Sequence, residues 1–322
     1  MKTFEKRKTL LLLFYVILIA VIIFRISVHP TQYTTPDSIA YLKQSQHIKK
    51  TLVGSFNKSA SFGLKNGFTI WPIGYPISIA LCSIITKSPV LVSSKIVNFI
   101  FLGLIFLLLY KWYGNNAWFT VLPFFSYGSL EVLSETWSET PFIFFVLLLC
   151  FVLIRDRQYH PLYIGVATTV CLVCLFLFRY VGIIYFVPVF IIATRHFLGG
   201  RKRLAGFYAF ALAISSAFIA GYLYDNHLSS GYLTGGNRLL AGHESFFEFM
   251  TALSLGVFNE LSIARNLVLN GDSPDYLLIM MLALQFLVIA ILFIKRRFLK
   301  RPFSFDSSTK MLFQFSVGYL IT

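Results

Sequence analysis

Asp37 is the only acidic residue between Glu5 and Glu131, and five lysines (Lys43, Lys49, Lys50, Lys58 and Lys65) share its polar stretch from His29 to Pro76. A carboxylate just past an apolar span can take the proton from an incoming hydroxyl. The same Pro36-Asp37-Ser38 can also cap a helix, and the local sequence leaves both roles open. Glu131, Glu135 and Glu139 follow at intervals of four, which on a continuous helix would line one face. Carboxylates at the edge of hydrocarbon are costly unless paired or used. Ser138-Glu139-Thr140-Pro141 also reads as an ordinary helix start. Arg179 interrupts the apolar run Leu175–Ile183 and must pair or snorkel. Its guanidinium fork suits a phosphate, and it suits a neighbouring glutamate equally well. Further on, Gly235-Gly236 lets backbone approach a ligand closely. Arg238 and His243 stand beside it, His243 being of the kind usually found on a loop surface. No Gly-x-x-x-x-Gly-Lys-Ser/Thr occurs, which excludes that nucleotide loop.

The elements that must hold these residues are membrane helices. Hydrophobic residues make up 57% of the 322 and charged residues 13%. The apolar runs lack two-residue alternation, so they read as helices with their backbone satisfied internally. They cover Thr9–Phe24, Pro89–Tyr110, Ala117–Val132, Pro141–Ile154, Leu162–Phe178, Ile183–Phe197, Leu204–Tyr224 and Tyr276–Ile294, with a last run from Met311 cut off at Thr322. The expected fold is thus all-α, a polytopic bundle of about eight spans and a truncated ninth. One domain over 1–322 is expected, its last run stopping at Thr322 either because the C-terminal part is missing or because that helix is short. The first run has no small-x-small cleavage site after it and reads as an uncleaved anchor. Tyr75–Ile85 is too short to cross and is expected to lie at the interface. So is Leu255–Leu269, where polar residues interrupt the apolar ones.

Basic residues orient the bundle. With the N-terminus in the cytoplasm, Lys2, Lys6, Arg7, Lys8, Lys111, Arg155, Arg157, Arg195, Arg201, Lys202 and Arg203 fall inside. The cluster around Lys295–Arg301 does so too. Residues 29–88, bearing interfacial helices, and 225–274 fall outside. The net charge of +15 then suits anionic membrane lipids and calls for no nucleic acid. The four cysteines sit in apolar runs. Cys171-Leu172-Val173-Cys174 has no polar neighbour, so it reads as packing rather than metal or redox chemistry.

At these residues the chain resembles the polytopic GT-C glycosyltransferases. Asp37 with Tyr41 four residues on, Trp71-Pro72-Ile73-Gly74-Tyr75-Pro76, Ser138-Glu139, and Phe178-Arg179-Tyr180-Val181-Gly182 carry the likeness, over about residues 1–200. It is nearest to bacterial members related to dolichyl-phosphate-mannose protein mannosyltransferases and aminoarabinose transferases. The resemblance implies transfer of a sugar from a polyprenyl-phosphate donor to a lipid, glycan or protein acceptor on the outer face of a cell membrane. It puts the catalytic aspartate at Asp37 and a second acidic residue at Glu139. Arg179 and Arg238 would meet the donor phosphate, with Tyr41, Trp71 and Tyr75 in the substrate-binding region. Many relatives have two adjacent acidic residues in the first loop. Here Ser38 follows Asp37, so no metal ligand is assigned, and a divalent metal is left open as cofactor.

The rival reading is a multi-pass transporter or lipid flippase using the same intramembrane charges. The sequence shows no repeat symmetry of the kind secondary transporters carry. A scaffold or export subunit without chemistry is the third reading.

Overall fold

The computed structural model describes residues 2–57, 71–156, 158–234, 245 and 247; among these no strand occurs and the architecture is helical. The chain divides into two compact units, Met1–Arg238 with Ser307–Thr322 and Leu239–Asp306, where the sequence suggested one domain. All the helices described below belong to the first. The expected span Tyr276–Ile294, the run from Met311 and the interfacial stretch Leu255–Leu269 lie outside the described residues.

Ten α-helices follow in order. They are α1 (Lys2–Val28), α2 (Pro36–Asn57), α3 (Gly74–Thr86), α4 (Val90–Tyr113), α5 (Ala117–Thr120), α6 (Tyr127–Ser134), α7 (Glu139–Ile154), α8 (Pro161–Phe178), α9 (Phe186–Leu198) and α10 (Lys202–Ser230). Among the described residues five helical stretches are long and apolar enough to cross a membrane: Thr9–Val28, Val90–Tyr113, Pro161–Phe178, Tyr180–Leu198 and Lys202–Ser230. Counting the bent pair α6–α7 as one crossing gives six. The short apolar helix expected near Tyr75–Ile85 is α3. Among the described residues of the polar stretch before it, Pro36–Asn57 is helix, with Tyr41, Gln44, Ser45 and Ile48 recurring at helical spacing and all buried.

One expected span is corrected. Ala117–Val132 is not a continuous helix but α5, a 3-10 turn over Leu122–Phe125, and α6. Gly114 adopts φ +55° just ahead of it. Pro123 lacks an amide proton and crowds the carbonyl four residues back, and Ser126 begins a new helix by accepting from the Ser129 amide. The break does not alter the path of the chain. Asn98 of α4 donates to the Glu135 carbonyl just before α7, at 3.0 Å. At the other end, Arg155 after α7 reaches the carbonyls of Lys111 and Trp112 at 3.4 Å. α4 and α7 are therefore parallel neighbours, and residues 114–138 must bring the chain back between them.

Among the described residues two large apolar clusters hold the bundle, with a third, small one around Ile48, Ile73 and Ala80. Tyr75, Ile79, Phe142, Leu149, Leu172, Leu175 and Tyr208 anchor the larger one. Leu18, Ile22, Leu102, Ile105, Val121 and Leu133 anchor the one around α1. In lipid such packing gains dispersion rather than water release, so close approach matters most. Gly74 shows this: a Cβ there would stand 2.6 Å from the Leu177 carbonyl oxygen of α8. A Cβ on Gly182 would meet the Leu175 carbonyl group at 2.4 Å. Only glycine lets α3 and the turn after α8 sit this close.

Candidate functional site

The polar residues of one bundle end meet where α6 gives way to α7. The two helices are bent by 114° there, with Glu135 in an extended conformation. Glu131, Glu135 and Glu139 therefore do not share one helix face, and that expectation is corrected. A helix that stops leaves carbonyls unsatisfied, and α4 supplies the donors. Lys95 Nζ donates to the Ser134 carbonyl at 2.6 Å and to the Tyr33 carbonyl at 3.5 Å. Asn98 Nδ2 donates to the Glu135 carbonyl at 3.0 Å. The Ser94 and Thr136 hydroxyls bond at 3.0 Å. Then α2 takes over. Trp137 Nε1 donates to Thr35 Oγ1 at 2.9 Å, and the Ser138 and Tyr41 hydroxyls bond at 3.1 Å. Finally Arg179, at the end of α8, donates from Nη1 to Glu139 Oε1. Each residue from Ser134 to Glu139 is thus held by a different partner.

Thr35 decides the role of Asp37. Its Oγ1 accepts from the Ser38 amide at 3.2 Å, and its carbonyl accepts from the Ile39 amide. Thr35 is therefore the N-cap of α2, with Pro36 at the first helical position, where proline suits. Asp37 is not the cap. Its side chain is exposed and takes no hydrogen bond or ion pair among the described residues. Its charge nevertheless acts on Tyr41 together with those of Glu139 and Arg179. The charges of the three residues singled out in the sequence thus all reach this one phenol.

Tyr41 and Tyr75 are placed differently from a substrate-contacting pair. Tyr41 is 4% exposed and Tyr75 fully buried. Their rings meet edge to face at 5.2 Å, and Trp71 lies 5.7 Å from Tyr41. Tyr75 donates to Asn98 Oδ1 at 3.0 Å. Burial, more than any neighbouring charge, pushes the Tyr41 phenol up to about 12. It stays protonated and bonded to Ser138 in the neutral range. These rings brace the site, with half-buried Trp71 presenting the accessible edge. Arg238 and His243 lie outside the described residues.

The polar triplet Ser94, Lys95 and Asn98 is the contribution the sequence reading passed over. Its signal was present: a lysine and an asparagine inside an apolar run are costly unless they serve backbone or partner. Among the described residues no three His, Cys, Asp or Glu side chains stand together as metal ligands. Neither a family model, nor a curated protein, nor a solved structure matches the chain.

Proposed function

We propose that this multi-helix membrane protein is a glycosyltransferase of the GT-C kind, moving a sugar from a polyprenyl-phosphate donor to an acceptor hydroxyl. The observation that carries the reading is the Arg179–Glu139 ion pair at the start of α7, tied to the start of α2, which carries Asp37, by the Trp137–Thr35 and Tyr41–Ser138 bonds at one end of the apolar bundle. A donor with a prenyl tail and a charged head needs such a place, with hydrocarbon below and cations above. The expected setting is the outer face of a cell membrane, with the N-terminus in the cytoplasm.

In this reading the acceptor oxygen attacks the anomeric carbon as its proton passes to Asp37. The bond from that carbon to the phosphate oxygen breaks, and the electron pair leaves with the prenyl phosphate. One displacement inverts the configuration. Arg179 Nη1 is engaged by Glu139, and its remaining N–H groups offer donors to the charge that develops on the phosphate. Glu139 holds that guanidinium at the membrane edge. Asp37 is suited to a base's task because it is exposed and, among the described residues, no neighbour's hydrogen bond occupies it.

The test is purified protein in proteoliposomes, supplied with prenyl-phosphate hexose and pentose donors and a lipid or peptide acceptor. Transfer with inversion is expected. Flux of a lipid-linked sugar across the bilayer with no new glycosidic bond would instead establish the transporter or flippase.

A further inference from the structure

The two carboxylates of this site belong to separate parts of the chain. Asp37 opens α2, and Glu139 opens α7. Two hydrogen bonds join those openings: Trp137 Nε1 to Thr35 Oγ1 at 2.9 Å, and Tyr41 to Ser138 at 3.1 Å. Trp137 lies two residues before Glu139, and Thr35 two before Asp37. The indole N–H is a donor only and cannot swap roles, so its bond has one direction and one partner here. Thr35 Oγ1 also accepts from the Ser38 amide. It approaches the Ser38 hydroxyl at 3.0 Å. The atom that Trp137 grips is thus the atom that starts the helix carrying Asp37.

We propose that Trp137 is a positioning residue for the transfer step: by holding the N-cap of α2 it sets where the Asp37 carboxylate stands relative to Glu139 and Arg179. This rests on the glycosyltransferase reading and adds a residue to it. The Tyr41–Ser138 bond fixes α2 one turn further along, where the buried face already packs. The first turn exposes Pro36, Asp37 and Ile39 and buries only the small Ser38 side chain. There the indole–hydroxyl bond is the tie to α7. A displacement of about 1 Å at a reacting group can cost up to roughly a hundredfold in rate, so a single tie at this point matters.

Trp137→Phe keeps an aromatic ring and removes only the N–H. The full-length variant is examined in proteoliposomes for transfer, and by hydrogen exchange on a peptide covering residues 35–41. The expected result is a kcat lower by roughly ten- to a hundredfold, with KM for the prenyl-phosphate donor within about twofold and folded yield unchanged. Exchange over the first turn of α2 should speed up while that of α7 does not. Added to Asp37→Asn, Trp137→Phe should lower the rate no further, because its effect passes through Asp37.

Unchanged exchange in residues 35–41, or an unchanged kcat, overturns the proposal. A further loss on top of Asp37→Asn also overturns it, because Trp137 would then act elsewhere. If Trp137→Phe fails to fold, Trp137→Leu removes the same N–H while leaving the Thr35 cap of α2 intact, and takes the same measurements. Failure of the wild-type protein to transfer any sugar refutes the function itself and with it any catalytic role for Trp137; the exchange experiment alone then reports whether Trp137 holds α2.

Discussion

Replacing Asp37 with asparagine separates chemistry from structure because the cap of α2 lies elsewhere. Thr35 keeps its hydroxyl bond to the Ser38 amide in the variant, and with it the capping stabilisation of about 1 kcal/mol. What Asp37 itself gives the fold is the attraction of a carboxylate to the positive end of a helix. For an exposed side chain that is about 0.3 kcal/mol, reduced further by salt. Asparagine has nearly the same volume and breaks no hydrogen bond or ion pair among the described residues. Folded yield and thermal midpoint should therefore match wild type. Catalysis should not. Loss of a general base costs roughly a hundredfold or more, equivalent to about 2.7 kcal/mol of barrier. The kinetic effect exceeds the stability effect about ninefold on these figures, so instability cannot imitate it. The assay is sugar transfer from a prenyl-phosphate donor in proteoliposomes, normalised to folded protein, with donor binding measured separately and expected to survive. A rate above about a third of wild type would show that Asp37 is not the base.

Other consequences follow from the same geometry. The Arg179–Glu139 pair is unevenly buried, with side chains 32% and 16% exposed. Arg179→Ala should lower the thermal midpoint more than Glu139→Gln, because it strands the more buried charge; equal losses would contradict the pairing. If Arg179 also serves the donor phosphate, Arg179→Lys should fold normally yet transfer poorly, since a point charge cannot replace the fork. Tyr41 ionises near 12 in the folded protein because burial disfavours its phenolate, against about 10 when unfolded. Its contribution is full below about pH 10 and lost as pH rises towards about 12. Tyr41→Phe should therefore lose less of its thermal midpoint between about pH 9 and about pH 11 than wild type does. For orientation, single cysteines at Lys43 and Lys202, both exposed and at opposite bundle ends, should react with an impermeant reagent from opposite sides. Lys43 is expected outside, and labelling of both from one side would overturn the topology.

Much of the helical order follows from local chemistry. α1, α4, α8, α9 and α10 each coincide with an apolar run, because a span must satisfy its own backbone whatever it packs against. α3 was legible as too short to cross. Ala117–Val132 misled because hydropathy counts side chains and not backbone competence. Its apolar content is that of a span, yet Pro123 and the turns at Gly114 and Ser126 divide it.

The sequence by itself determined that the protein is a bundle of apolar helices with its rare charges at helix ends, since a charge in hydrocarbon is too costly to be scattered. It singled out Asp37, Glu139 and Arg179 by residue type and placement. It also left Arg179 with two roles, of which the folded chain displays the pairing with Glu139. Only the tertiary structure decided that Thr35 rather than Asp37 caps α2. Only the structure showed that the glutamates are split by a bend, and that Lys95, Asn98 and Trp137 hold the segment between them. Those bonds join residues 37 to 102 positions apart. No local pattern specifies a partner at that distance, because the choice depends on which helices pack together.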